Sequence, residues 1–137
     1  MTTFLALTAV TAHGQTPTHD TSYTRDSLII LLRRADRFEG QYIGKGNTPS
    51  KIYKRAQLLW DICSVDELVK LTSDKKAVVR CYAFQGLIEK RVDKNIVNEI
   101  ADKNKNDKSK VIVIYGCVAD KSTVGYFIKR TAELYCR

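Results

Sequence analysis

The stretch from Lys75 to Arg91 limits the fold more than any other part of the chain. Val78, Val79, Tyr82, Ala83, Gly86 and Leu87 recur at the period of one helical face, and Cys81, Phe84 and Ile88 widen that face around the cylinder. A helix apolar on most of its circumference must be surrounded by other elements, so this one is predicted to sit at the centre of a single packed domain. The chain has material for one modest core, with 137 residues of which 44% are apolar. Seven glycines and two prolines are too few for a fibrous or disordered chain.

Helical patterns flank this element on both sides. Leu28, Leu31, Ala35, Phe38 and Tyr42 fall on one helical stripe, broken by Gly44-Lys45-Gly46-Asn47. Thr48-Pro49 reads as a cap followed by proline at the first helical position, with Ile52, Ala56, Leu59 and Cys63 facing inward. Ser64 and Glu67 fit a capping box, in which each side chain satisfies the other's free backbone donor, ahead of a short helix carrying Leu68 and Leu71. Asp93 is placed to cap a helix with Ile96, Val97 and Ile100 inward, and Thr123 one with Val124, Phe127, Ile128 and Leu134 inward. Between them, Asp102 to Lys110 reads as a polar loop.

Val111-Ile112-Val113-Ile114-Tyr115 has the propensity of a buried strand. No second strand-like run stands out to pair with it, and a lone strand leaves its backbone groups unmet. It is therefore predicted to be a buried helix that overrides its propensity. The chain then reads as all-α, built of stacked antiparallel helical hairpins.

The two central hairpins overlay on each other with a shift of about thirty residues, the signature of an α-solenoid. Leu68-Val69 falls on Ile96-Val97, Asp74-Lys75 on Asp102-Lys103, Arg80 on Lys110 and Gly86 on Gly116. Asp74, followed by Val79-Arg80, Ala83 and Leu87 in the next helix, resembles a HEAT repeat. The match covers Ser64 to Arg91, with a weaker copy to Val118, and it lacks the proline common in the first HEAT helix. The resemblance implies a short HEAT-like α-α superhelix that binds macromolecules, and it carries over no catalytic residue.

The N-terminus differs from the rest. Phe4 to Ala12 is apolar and uncharged, and Ala12-His13-Gly14 puts small residues where a signal peptidase cuts, although Met1-Thr2-Thr3 supplies no basic side chain. Residues 1–14 are accordingly expected to be a signal peptide, 15–22 a flexible leader and 23–137 the domain, exported to the periplasm or outside. If the chain is not exported it is cytoplasmic. No later stretch approaches the ~20 apolar residues needed to cross a bilayer, so stable membrane insertion of the mature chain is not expected. Cys63, Cys81, Cys117 and Cys136 show no close metal or redox spacing and read as small apolar helix residues; export would leave disulfides open to them.

The chemistry is bounded by an absence. The only histidines, His13 and His19, precede the domain, which excludes imidazole-based nucleophilic mechanisms and histidine metal sites from it. No phosphate-cradling glycine loop is present. Asp61, Asp66, Glu67 and Glu89 read as surface or capping acids rather than a catalytic pair. The chain is thus expected not to be an enzyme, with no catalytic, cofactor or metal residues and no cofactor. It is basic, with 23 Lys and Arg against 15 Asp and Glu. Lys103, Lys105, Lys108 and Lys110 sit in one loop and Lys75 and Lys76 in the corresponding loop of the preceding hairpin, so a solenoid would align them along one edge. Asp74, Asp102 and Asp107 lie among them and are expected to halve their field. These six lysines are the candidate partner-binding residues. The expected function is a helical-repeat module for protein–protein interaction, with nucleic acid bound through the same lysines as the alternative. Trp60, Tyr82 and Tyr115 are expected in the core.

Overall fold

The computed structural model describes residues 22–137. The expected signal peptide and nearly all of the leader fall on residues 1–21, outside the described residues. The elements run α1 (Arg25–Arg33), β1 (Arg37–Ile43), β2 (Thr48–Pro49), α2 (Lys51–Ile62), α3 (Val65–Leu71), α4 (Ala77–Glu89), α5 (Lys94–Asn104), β3 (Lys110–Gly116), β4 (Val118–Thr123) and α6 (Val124–Tyr135). The four strands form one mixed sheet in the order β2-β1-β3-β4, with β1 parallel to β3 and both outer pairs antiparallel. A parallel pair needs a long crossover, and here α2 to α5 supply it.

This mixed α/β fold overturns the all-α expectation, and with it the stacked-hairpin superhelix, the HEAT resemblance and the helical-repeat function. Val111 to Tyr115 is a strand because partners exist on both sides. β1 is hidden within a helix-like stripe: Phe38 and Tyr42 are spaced for a helix, but α1 ends at Arg33 and the chain turns at Asp36 into an extended run. β4 is hidden because it is an exposed edge strand, Val-Ala-Asp-Lys-Ser-Thr, with no buried face to impose alternation. Gly116 and Cys117 form the two-residue connection between β3 and β4, with Gly116 at φ +55° as such a tight hairpin demands. The weaker second repeat therefore pairs a helix, α5, with a strand, and no repeat remains.

The central position of α4 is as expected. Cys81, Tyr82, Phe84 and Leu87 are fully buried, and Phe38 of β1 stacks on Tyr82 at 4.4 Å between ring centroids. Gly86 leaves the space that the Trp60 ring fills: a Cβ there would lie 2.4 Å from Trp60 Cδ1. The Trp60 indole N–H donates to the Tyr82 carbonyl at 2.9 Å, tying α2 to α4.

Several local readings match the caps. Ser64 and Glu67 form the capping box of α3, Asp93 accepts from the Asn95 N–H at the start of α5, and Thr123 caps α6. Others are corrected. Thr48-Pro49 is strand β2, and the cap of α2 is Ser50, whose hydroxyl accepts from the Tyr53 N–H. Ile96 and Leu134, expected inward, are exposed, because α5 and α6 cover the core on only one side each. Tyr115 is half exposed at the end of β3, whereas Tyr82 and Trp60 are buried.

Candidate functional site

The two lysine-bearing segments meet at Arg80 on the first turns of α4. One Arg80 Nη donates to the Asp74 carbonyl at 2.7 Å in the α3–α4 turn, and its Nε lies 2.9 Å from Asp107 Oδ2 in the α5–β3 loop. Asp74 turns its own carboxylate inward to Arg33 at the end of α1, accepting from Nη2 at 2.6 Å and from Nε at 3.2 Å. Asp107 also accepts from the Ser109 N–H at 3.0 Å. Arg33, Asp74, Arg80 and Asp107 thus form one ladder that fastens the α3–α4 turn and the α5–β3 loop to α1 and α4.

The ladder changes the charge seen from outside. Burial alone would raise the Asp74 pKa. The Arg33 side chain and the Lys76 N–H outweigh it and hold the carboxyl below its ordinary 3.8. Burial also opposes ionisation of Asp107, but the Ser109 N–H and hydroxyl and the Arg80 guanidinium together lower it. Both acids therefore stay ionised, and each has an arginine as its counter-ion. Neither makes an ion pair with the lysines beside it in the sequence, although the Lys75 charge also helps to lower Asp74.

The six expected lysines separate into four groups. Lys75, Lys76 and Lys108 are exposed on the segments that Arg80 joins, and none makes an ion pair among the described residues. The amino end of α4 lies in the same place; Lys76 is its N-cap and supplies no side-chain oxygen, and the Asp74 carboxylate accepts from the Lys76 N–H at 3.0 Å. Lys103 is bound to Glu99 at 3.4 Å along α5. Lys105 lines a separate groove between α5 and α6 with Asn98, Lys129 and Glu133. Lys110 begins β3 and belongs to a third surface.

That surface is a groove of about 800 Å³ over the start of β3 and the end of β4, beside the start of α6. Lys110 and Ile112 are alternate residues of β3, and Lys121 of β4 stands directly opposite Ile112. All three therefore share a face, the one opposite to buried Val111 and Val113. Tyr126 of α6, 65% exposed, and Asp36 complete the rim. The amino end of α6 adds little positive potential here. The Val124 and Gly125 N–H groups already donate to the carbonyls of Ser109 and Asp107, and the Tyr126 N–H donates to the Thr123 hydroxyl. Charge in the groove comes from its lysines.

Ile112, Lys121 and Tyr126 were not singled out by the residue pattern. Ile112 sits in a run read as buried helix, and no pattern sets Lys121 apart. The only available signal was the β-branched run itself, which as a strand must show alternate residues to opposite faces.

Among the described residues no three His, Cys, Asp or Glu side chains cluster as metal ligands would. Glu39, the one buried acid of the sheet, accepts from Arg37 Nε at 2.8 Å and from the Ser50 hydroxyl at 2.5 Å, which ties it into the fold. The four cysteines are unpaired: Cys63 and Cys81 are buried, Cys136 is half-buried and Cys117 is exposed at the hairpin tip. Among the described residues no helix is long and apolar enough to cross a membrane.

Comparison with known proteins finds no matching family model, no similar curated protein and no similar solved structure.

Proposed function

We propose that the chain is a non-catalytic binding module that docks an acidic protein partner on the edge formed by the α3–α4 turn and the α5–β3 loop. The observation that carries this reading is the commitment of Asp74 and Asp107 to ion pairs with Arg33 and Arg80, while Lys75, Lys76 and Lys108 make no ion pair among the described residues. Three exposed ammonium groups give a local positive field that steers and orients an acidic surface. The same field attracts nucleic acid. A protein is favoured because Ile112, four residues along the chain from Lys108, is exposed, and apolar surface near the lysines suits carboxylate-bearing side chains with apolar neighbours. The absence of histidine from residue 20 onward supports a non-catalytic role. Export remains part of the reading, on the strength of the Phe4 to Ala12 run and Ala12-His13-Gly14.

The test is a titration of the full chain with a fluorescent oligo-glutamate peptide and, separately, with duplex DNA. The expected result is peptide binding that the Lys75→Glu, Lys76→Glu, Lys108→Glu variant loses, with circular dichroism unchanged. Tight duplex binding with no peptide binding overturns the protein-partner reading.

A further inference from the structure

We infer that Gly125 is a positioning residue of the lysine edge: having no side chain, it lets the α5–β3 loop lie against the start of α6 and so fixes where Lys108 stands. This role rests on the proposed function, since it names what holds one of the three lysines of that edge in place.

Lys108 is held from both flanks. The carbonyl of Asp107, before it, accepts from the Gly125 N–H at 2.9 Å, and the carbonyl of Ser109, after it, accepts from the Val124 N–H at 2.9 Å. The first turn of a helix leaves such N–H groups without partners inside the helix, and here two of them grip the backbone on either side of one exposed lysine. The Asp107 carboxylate then accepts from the Ser109 N–H at 3.0 Å and lies 2.9 Å from Arg80 Nε. Arg80 also donates to the Asp74 carbonyl, which ties the loop to the segment carrying Lys75 and Lys76.

Apolar burial does not account for this order. No side chain from Asp102 to Lys110 belongs to the core, so the shape of the loop comes from its hydrogen bonds and ion pair. A lysine whose backbone is already ordered gives up less freedom on meeting a carboxylate than one on a loose loop.

The close approach depends on glycine. A Cβ at residue 125 would lie 2.6 Å from the Lys105 carbonyl oxygen and 2.9 Å from that of Asn104. Both are backbone atoms, which cannot swing aside as the tip of a side chain does, so the loop would have to move off α6. Alanine is the better helix former, so Gly125→Ala tests the spacing between loop and helix without weakening α6 itself.

The experiment titrates the full chain with the fluorescent oligo-glutamate peptide, read by anisotropy, in two double-mutant cycles. Lys108→Gln is expected to weaken binding by the natural chain about threefold, the scale of one exposed ion pair. Gly125→Ala is expected to weaken it by a similar factor, and Lys108→Gln then to add little, because that lysine is already displaced. Lys75→Gln is expected to cost the same factor with alanine at this position as with glycine. A general loss of stability would not separate the two lysines in this way. Natural affinity in Gly125→Ala, equal effects of Lys108→Gln in both backgrounds, or loss of the Lys75→Gln effect overturns the role of Gly125 and leaves the lysine edge in place. No peptide binding by the natural chain removes the lysine edge itself, and the role of Gly125 with it. Circular dichroism and thermal melting check the fold of each variant. Should Gly125→Ala not fold, Ser109→Gly loosens the loop beside Lys108 without touching α6, and the same cycles decide.

Discussion

The Tyr82 hydroxyl accepts from the Glu39 N–H at 2.8 Å and donates to the Glu39 carbonyl at 2.9 Å. A side chain of the central helix thereby takes the hydrogen-bonding place of a strand. β2 reaches β1 only at Tyr42 and Ile43, so the backbone of Glu39 has no strand partner on that side. The Phe38 ring stacks on the same tyrosine and anchors the junction between helix layer and sheet.

Removing that hydroxyl leaves a buried donor and a buried acceptor unpaired together. Tyr82→Phe is expected to destabilise the chain by about 2–4 kcal/mol, since each unmet buried group costs roughly 1–3 kcal/mol. Urea unfolding followed by circular dichroism measures it; a loss below 0.5 kcal/mol on the same scale would contradict the role assigned to Tyr82.

Gly86 makes a prediction opposite to helix propensity. On an exposed helix, Gly→Ala gains up to about 1 kcal/mol. At Gly86 the added methyl meets the rigid Trp60 indole at 2.4–2.6 Å. Gly86→Ala is therefore expected to destabilise by about 1–3 kcal/mol through overpacking, and to change the Trp60 fluorescence. A stabilised variant would mean that the ring is free to move aside.

Much of the helical layer was legible in the residues, and the sheet was not. Ser64 with Glu67, Asp93 and Thr123 announce helix starts because capping is local chemistry that a few neighbouring residues complete. The strands depend on partners far away in sequence. Val111 to Tyr115 carried a strand signal, but its neighbour β1 shares apolar spacing with a helix and its neighbour β4 is too polar and exposed to alternate. Pairing Phe38 with Val113 across the α2–α5 crossover is information that no short window contains. At the lysine edge, the residue pattern named Lys75, Lys76 and Lys108 but not the arginines that pair with the acids among them. Which way Asp74 and Asp107 point is decided by Arg33 and Arg80, one of them on a different helix from the lysines.

The ladder also predicts a dependence on acid. Asp74 and Asp107 both have folded-state pKa values held below the ordinary 3.8, chiefly against burial, by their arginine and backbone N–H partners. Between the two pKa values the unfolded chain binds more protons, so stability rises with pH there. Their contribution is present in full above about pH 5 and is lost as pH falls through 3.8 and below. Urea midpoints between pH 6 and pH 3 should fall, and the Asp107→Asn variant should show a shallower fall. Equal slopes in the two proteins would show that Asp107 carries no such linkage.

Thiol chemistry separates the cysteines by environment. Burial pushes the Cys81 thiol up to about 12, and burial with the nearby Glu67 charge pushes Cys63 up to about 11. Cys117 is exposed at the β3–β4 turn. A thiolate-selective reagent at pH 8 is expected to label Cys117 first and Cys136 more slowly, leaving Cys63 and Cys81 protected until urea unfolds the chain. Peptide mapping of the labelled sites checks this order; early labelling of Cys81 would contradict the placement of α4 at the centre of the fold.

The lysine edge is tested most directly by the salt dependence of oligo-glutamate binding, compared between the natural chain and the Lys75→Gln, Lys76→Gln, Lys108→Gln variant. Screening shortens from about 30 Å at 0.01 M salt to about 8 Å at 0.15 M, so a contact carried by exposed lysines must weaken steeply over that range. The account predicts a steep loss of affinity with salt for the natural chain, and for the variant a weak affinity that changes little with salt. The same affinity and the same salt slope in both proteins would contradict it.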